Sequence, residues 1–158
     1  MPFIPVIALN TPTTISFVFL PKADPTAQIK KQYETLTKGW KMLDAKVITS
    51  VWATDYTEIQ SFDRKAKTAN RKEASALVQS ILKKWDKAEI AFTIQSLKLT
   101  DGGKKAQVVV SMNGTITVNA KTKRPQTAGM TARFNHLWVN NGKTWLLKHQ
   151  SPDLPKQK

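Results

Sequence analysis

The chain has 158 residues, of which 41% are apolar, and its 25 Lys and Arg against 11 Asp and Glu give a formal net charge of +14. This length fits one domain with a substantial hydrophobic core. The sequence contains no cysteine, which excludes disulfides, thiolate zinc sites and cysteine nucleophiles, and its two histidines leave little for a histidine-based metal site. We therefore expect a globular protein without a metal or another cofactor.

The basic residues are spread along the chain in short runs such as "IKKQY", "ILKKW", "GGKK" and "KTKRP". Two of these runs end in an aromatic residue, but none forms the aromatic-interleaved basic motif that is typical of RNA-binding modules. A surface of this charge attracts polyanions such as nucleic acid, anionic lipid or acidic envelope polymers. We favour a solvated cationic surface, and a cationic module that binds polyanions weakly stays as an alternative.

The first stretch, residues 1–23, is apolar and carries no charge before Lys22. It lacks the basic start of a secretory signal, and its prolines interrupt it too often for a membrane span. We interpret it as an N-terminal arm or as an atypical or remnant export signal. Cytoplasmic and exported locations in a bacterium are both compatible with it.

Helical patterns follow this stretch. Asp24 is a suitable N-cap and Pro25 suits the first helical position. The apolar stripe of this first helix consists of Ile29, Tyr33, Leu36, Trp40 and Leu43. Gly39 is expected to loosen the end of the helix. "AKVITSVWATDY" predicts a second short helix, and "TEIQSF" predicts a brief strand.

The third helical pattern, "NRKEASALVQSILKKW", is the clearest, because Asn70 and Glu73 can form a capping box. Its predicted buried stripe consists of Ala74, Leu77, Val78, Ile81, Leu82 and Trp85.

After Trp85 the apolar period changes to two, which predicts strands. In "EIAFTIQSLKLT" the apolar phase shifts near Gln95, which indicates a bulge. "DGG" and "NNG" predict tight turns in a four-stranded antiparallel meander. Helices on one face of a curved antiparallel sheet make an α+β domain, here placed at residues 24–151 and followed by a basic tail at 152–158.

This order of elements, with the segments "YETLTKGW", "VITSVWATDYTEI" and "FNHLWVNNGKTWLLKHQS", resembles the nuclear transport factor 2-like superfamily in its SnoaL-like and ketosteroid isomerase-like branch. The resemblance implies a cone-shaped half-barrel with three N-terminal helices packed on the sheet. It also implies an apolar cavity for a small or cyclic molecule, and a homodimer formed through the open face of the sheet. The superfamily contains isomerases, cyclases and dehydratases as well as binding proteins, so the fold does not decide the function.

The resemblance also carries over three site positions. Tyr33 matches a tyrosine that helps to form an oxyanion hole, Gln60 stands at the position of the proton-moving carboxylate, and Asn135 stands at the position of a protonated aspartate. An amide cannot act as a general base near neutral pH. These residues therefore predict a set of hydrogen-bonding groups that hold a ligand, without a residue that could transfer a proton. Four further residues are expected to line the cavity: Trp52, Tyr56, Phe92 and Met112.

Three ionisable groups keep an enzyme open as the alternative. Glu58 and Asp63 flank the Gln60 position, and a shift of two residues in the alignment would make Glu58 the base. On the last strand His149 shares the parity of the apolar positions, which places it at the cavity rim. His136 would face the opposite side of the sheet if Asn135 faces the cavity. The favoured interpretation is a small-molecule-binding domain without a complete catalytic set, and the alternative is an isomerase or lyase-like enzyme that uses acid–base chemistry without metal.

Overall fold

The computed structural model describes residues 23–60 and 67–154, so the predictions made for residues 1–22, for Asp63 and for residues 155–158 lie outside the described residues. The helices are α1 (Pro25–Lys41), α2 (Ala45–Ser50) and α3 (Arg71–Leu82), and a short 3-10 turn spans Asp101–Gly103. The strands are β1 (Trp52–Ile59), β2 (Thr68–Asn70), β3 (Lys87–Thr100), β4 (Lys105–Val118), β5 (Gln126–Asn140) and β6 (Trp145–Pro152). No helix among the described residues is long and apolar enough to cross a membrane.

Helix α1 begins as its capping residues predict. The Asp24 carboxylate accepts a hydrogen bond from the backbone N–H of Thr26 at 3.0 Å, and Pro25 occupies the first turn. The stripe of Ile29, Tyr33 and Leu36 is buried, because these side chains recur at helical spacing on the face that packs against the sheet. This end of the helix is therefore fixed both by its cap and by its core contacts.

Gly39 has a different role from the predicted one. It lies inside α1 and is buried, and a Cβ atom placed there would come within 2.8 Å of the Ile48 side chain and 2.9 Å of the Ile48 backbone nitrogen. The missing side chain therefore allows α1 and α2 to pack closely, whereas the sequence suggested a loosened helix end.

The second helix is shorter than predicted, and the strand after it begins earlier. Helix α2 is capped by Asp44 and ends at Ser50, and β1 begins at Trp52. The Arg71 guanidinium donates hydrogen bonds to the carbonyl oxygens of Thr49, Trp52 and Ala53 at 3.1 to 3.3 Å. Because these bonds satisfy one carbonyl at the end of α2 and two at the start of β1, the chain can turn directly from helix into strand. This tertiary contact is not visible as a local pattern.

Helix α3 has the predicted capping box: the Asn70 side chain accepts from the backbone N–H groups of Lys72 and Glu73, and the Glu73 carboxylate accepts from the Asn70 N–H. Of the predicted stripe, Ala74, Val78 and Leu82 are buried. Leu77 is 38% exposed, and the helix ends at Leu82, before Trp85.

The six strands form one sheet in the order β2-β1-β6-β5-β4-β3. The pairs from β3 to β6 are antiparallel, as the meander predicts, but β1 runs parallel to β6. The register of β3 and β4 shifts between Ile94 and Ser96, which confirms the predicted bulge. A second shift leaves Lys148 without a partner on β5, since Trp138 pairs with Leu147 and Leu137 pairs with His149.

Helices α1, α2 and α3 contribute with β1, β4, β5 and β6 to one hydrophobic core. Its largest side chains on the sheet are those of Trp138 and Trp145, both with no exposed surface. The arrangement is α+β, as predicted at this coarse level, and it places one face of the sheet under the helices.

Candidate functional site

Three polar side chains cross the sheet in one row beneath the helices. The strand register pairs Glu58 of β1 with Gln150 of β6, and Gln150 with His136 of β5. Glu58 and His136 are the buried charged or polar residues of the described chain, at 7% and 2% exposure. Because buried polar groups need partners, the contacts of this row decide what it can do.

At one end of the row, His136, Tyr33 and Trp138 form the group that we call the Tyr33–His136 cluster. The His136 Nε2 atom lies 2.9 Å from the Gln150 Oε1 atom, which can only accept, so Nε2 carries the proton. The neutral ring then accepts at Nδ1 from the Tyr33 hydroxyl, 2.8 Å away. The same hydroxyl accepts from the Trp138 indole N–H at 3.1 Å. Every polar atom in this cluster therefore has a partner.

Burial dominates the electrostatics of the cluster. It lowers the pKa of His136 from 6.5 to about 3, against the opposing effect of the hydrogen bond to Gln150, and it also raises the pKa of the Tyr33 hydroxyl. Both groups are consequently neutral at pH 7. They hold α1 against the sheet, and neither is poised to exchange a proton near neutral pH.

The facing predicted for β5 is wrong. His136 lies under the helices, and Asn135 is exposed on the other face, where its amide donates to the Asp153 carboxylate at 3.3 Å. Side chains do alternate along β5, but with the opposite phase to the one predicted from placing Asn135 in the cavity. Tyr33 and Asn135 therefore do not converge, and their expected donor pair is not formed.

His149 is also displaced from its predicted place at the cavity rim. The unpaired Lys148 reverses the alternation of β6 between Leu147 and His149. His149 thus shares a face with its partner Leu137 rather than with the buried Leu147, and its Nδ1 atom lies 2.8 Å from the Thr57 hydroxyl.

At the other end of the row lies the Glu58 carboxylate. One of its oxygens accepts from the Tyr56 hydroxyl at 2.7 Å, and the other accepts from the Gln60 amide at 2.9 Å. Burial, followed by the charge of Glu58 and the hydrogen bond to it, raises the pKa of the Tyr56 hydroxyl. Tyr56 therefore remains a hydrogen-bond donor. A shift of two residues from the aligned position thus gives a carboxylate in place of the amide of Gln60.

Glu58 lines a pocket of about 200 Å³ between the helices and the sheet, which we call the Glu58 pocket. Its wall consists mainly of apolar and aromatic side chains, from Leu36, Trp40, Ile48, Trp52, Tyr56, Ile59, Leu77, Val78, Ile81, Phe134 and Pro152. Gln60 and Gln150 add two amides. A concave apolar wall with a few polar groups is the usual composition of a small-molecule site.

The predicted site residues are divided between this pocket and other places. Trp52, Tyr56 and Gln60 line the Glu58 pocket together with Glu58 itself. Tyr33 and Phe92 line a separate groove between α1 and β3. Met112 pairs with Phe92 in the sheet and is half-buried on β4. Trp40, an aromatic side chain suited to a cavity wall, also lines the pocket, whereas Gln150 and Phe134 were not predicted as pocket residues. The polar Gln150 near the end of an apolar strand was the available signal.

Larger depressions lie elsewhere, of about 730 Å³ between β1 and α3 and about 670 Å³ between α1 and β3. The carboxylates that line them, Asp55 and Glu34, are exposed to solvent. Within residues 23–60 and 67–154, no group of three or more His, Asp or Glu side chains could hold a metal ion. The Glu58 pocket is therefore the candidate site, because it combines an apolar wall with a buried ionisable group.

No family model and no curated protein matches this sequence. Solved structures match it well. A candidate dehydratase of the NTF2-like family from Streptomyces avermitilis is 14% identical with a TM-score of 0.63, and the match covers 83% of this chain and 98% of that protein. A candidate scytalone dehydratase from Novosphingobium aromaticivorans is 11% identical with a TM-score of 0.67, over 84% and 89% of the two chains.

A hexachlorocyclohexane dehydrochlorinase of type 2 is 13% identical with a TM-score of 0.64, and the match covers 80% of this chain and 82% of the enzyme. Likeness at such low identity shows the fold and leaves the activity open. The chain therefore has the NTF2-like fold, as the resemblance of its motifs indicated.

Proposed function

We propose that this protein binds a small, mostly apolar molecule in the Glu58 pocket and holds it through the Glu58 carboxylate. The observation that supports this most is the placement of a buried carboxylate, with two donors fixing its orientation, in a wall that is otherwise apolar and aromatic. An apolar wall supplies affinity, and a single oriented polar group supplies specificity. The pair of hydrogen-bond donors expected from Tyr33 and Asn135 has no part in this proposal.

Toluene is a suitable probe of the apolar part of the pocket, because a ligand that binds only the folded state raises the melting temperature. We expect saturating toluene to raise the Tm of the full chain and to have no such effect on Val78→Phe, in which a larger side chain fills the pocket. Ala76→Phe is the matched control, since Ala76 is exposed on the same helix. Equal shifts in all three proteins would disprove binding in this pocket.

If Val78→Phe does not fold, Leu77→Trp fills the pocket from a position that is 38% exposed. Mass spectrometry of the protein purified without denaturation complements the titration. A bound molecule that is retained by Ala76→Phe and lost from the filled variant identifies the natural ligand class directly.

Proton abstraction is the second candidate function, and the position of Glu58 favours it. A carboxylate in an apolar pocket can act as a general base, and its two hydrogen bonds fix its direction. Candidate dehydratases and a dehydrochlorinase share the fold. Burial and two fixed hydrogen bonds make Glu58 the residue on which to test such chemistry.

A generic base assay tests this second candidate. 5-Nitrobenzisoxazole loses its ring C–H proton to a carboxylate base and opens to a coloured cyanophenolate. If Glu58 is an active base, the wild-type chain should accelerate this reaction at least tenfold over free acetate at equal concentration, and Glu58→Gln should abolish the excess. Glu89→Gln removes an exposed carboxylate and should leave the rate unchanged. A wild-type rate equal to that of Glu58→Gln would remove Glu58 as a base.

A further inference from the structure

The polar groups of the Glu58 pocket are mainly hydrogen-bond acceptors. A carboxylate offers about four acceptor positions, and the described contacts from Tyr56 and Gln60 use two of those on Glu58. One N–H of the Gln60 amide is engaged with Glu58, which leaves the Gln60 oxygen as a further acceptor and its second N–H as a donor. Gln150, whose oxygen accepts from His136, offers its amide nitrogen as a donor. A ligand that donates hydrogen bonds fits this set.

The charge of the pocket contrasts with that of the chain. The chain has a formal net charge of +14, yet the described residues that line the pocket include no Lys or Arg. The ion pairs found among the described residues, such as Lys148–Asp55 and Arg133–Asp153, do not involve Glu58. Burial of a carboxylate without a counter-cation is unfavourable, and a cationic ligand would offset that cost.

The aromatic side chains that line the pocket also favour a cationic ligand. The rings of Trp52 and Tyr56 are stacked, with centroids 4.1 Å apart, and Trp40 and Phe134 add two more aromatic side chains to the lining. Aromatic faces carry partial negative charge and attract ammonium groups. The stacking covers one face of Trp52 and one of Tyr56, and the aromatic faces that remain in the lining favour a protonated amine over a neutral or anionic group of the same shape.

The volume limits the size of the ligand. The volume of the pocket is about 200 Å³, which equals the volume of roughly seven molecules of liquid water, so only a small ligand fits. We propose that the ligand of the Glu58 pocket is a small protonated amine with an apolar body, its ammonium group paired with the Glu58 carboxylate. This inference rests on the proposed binding function and specifies its ligand class.

Three probes of one shape test the ligand class: benzylamine, benzyl alcohol and benzoate, each titrated into the full chain by calorimetry at pH 7. We expect benzylamine to bind at least tenfold more tightly than benzyl alcohol and benzoate to bind least. The net charge of the chain attracts benzoate and repels the amine, so a preference for the amine must arise locally. In Glu58→Gln the ratio between amine and alcohol should fall below threefold, and in Glu89→Gln it should stay at the wild-type value.

The outcomes separate the two proposals. If benzyl alcohol binds as tightly as benzylamine to the wild-type chain, the ligand class is wrong while the pocket still binds small apolar molecules. If benzoate binds most tightly, the surface charge decides recognition and the amine proposal fails. If toluene and all three probes fail to bind, the binding function itself fails. The wild-type ratio decides the question even if Glu58→Gln does not fold.

Discussion

Among the residues that the structure describes, the Tyr33–His136 cluster and the Glu58 pocket hold the buried polar side chains, and Gln150 lies between them in the sheet. In the cluster every donor meets an acceptor, and burial keeps both titratable groups neutral at pH 7. In the pocket the Glu58 carboxylate faces an apolar wall, and its contacts with described residues use two of its roughly four acceptor positions. A closed hydrogen-bond network indicates a structural role, whereas an incompletely paired group in a cavity indicates a ligand.

The largest effect is expected from His136→Ala. This change removes a buried ring, deprives the Tyr33 hydroxyl of its acceptor and deprives the Gln150 oxygen of its donor. We expect a loss of about 3 kcal/mol in the free energy of unfolding, measured by urea denaturation. His149→Ala, at the half-buried histidine of β6, should cost about 1 kcal/mol or less. Equal losses for the two variants would mean that the cluster is not the structural centre we describe.

The stability of the protein should also depend on pH through His136. Burial lowers the pKa of His136 to about 3, whereas the value for the unfolded chain is near 6.5, so between these values the unfolded state binds the additional proton. Stability from this group is therefore complete above about pH 6.5 and is lost as the pH falls towards 3. The free energy of unfolding should fall by up to about 1.4 kcal/mol per pH unit in this window.

Urea titrations between pH 5 and pH 6.5 measure this slope before most carboxylates are protonated. His136→Gln should flatten it, and His149→Gln should leave most of it in place. If His136→Gln shows the same slope as the wild-type chain, the buried ring is not the group that titrates.

Glu58→Gln should raise the free energy of unfolding, by less than His136→Ala lowers it. The amide keeps the shape of the side chain and can still accept from the Tyr56 hydroxyl, and its NH2 group can donate to the Gln60 oxygen once the Gln60 amide turns over, while the cost of burying a charge disappears. We expect the free energy of unfolding without ligand to rise by about 1 kcal/mol, as is common when a functional polar group is removed. Glu89→Gln, in an exposed pair with Lys87, should change stability little. Strong destabilisation by Glu58→Gln would mean that Glu58 has a structural role, as the Tyr33–His136 cluster does.

The same comparison shows what the sequence could predict. Caps, apolar periods and turn residues act locally, so the capping box of Asn70 and the bulge near Gln95 were readable from short segments. The facing of Asn135 and His136 depends on which face of the sheet the helices cover. The position of His149 depends on an unpaired residue at Lys148. Both are tertiary properties, and a one-residue change in phase moves every side chain to the other face.

The smallest effect is expected from Asn135→Ala, although the family pattern places this residue in the binding site. Its amide is exposed on the face opposite the helices and contacts Asp153 at 3.3 Å. Loss of one exposed hydrogen bond should change the free energy of unfolding by less than about 0.5 kcal/mol. It should also leave the affinity for benzylamine unchanged, since no part of the Glu58 pocket is altered. A tenfold loss of affinity in this variant would show that the ligand binds on the outer face of the sheet, and the assignment of the two faces would then have to be reversed.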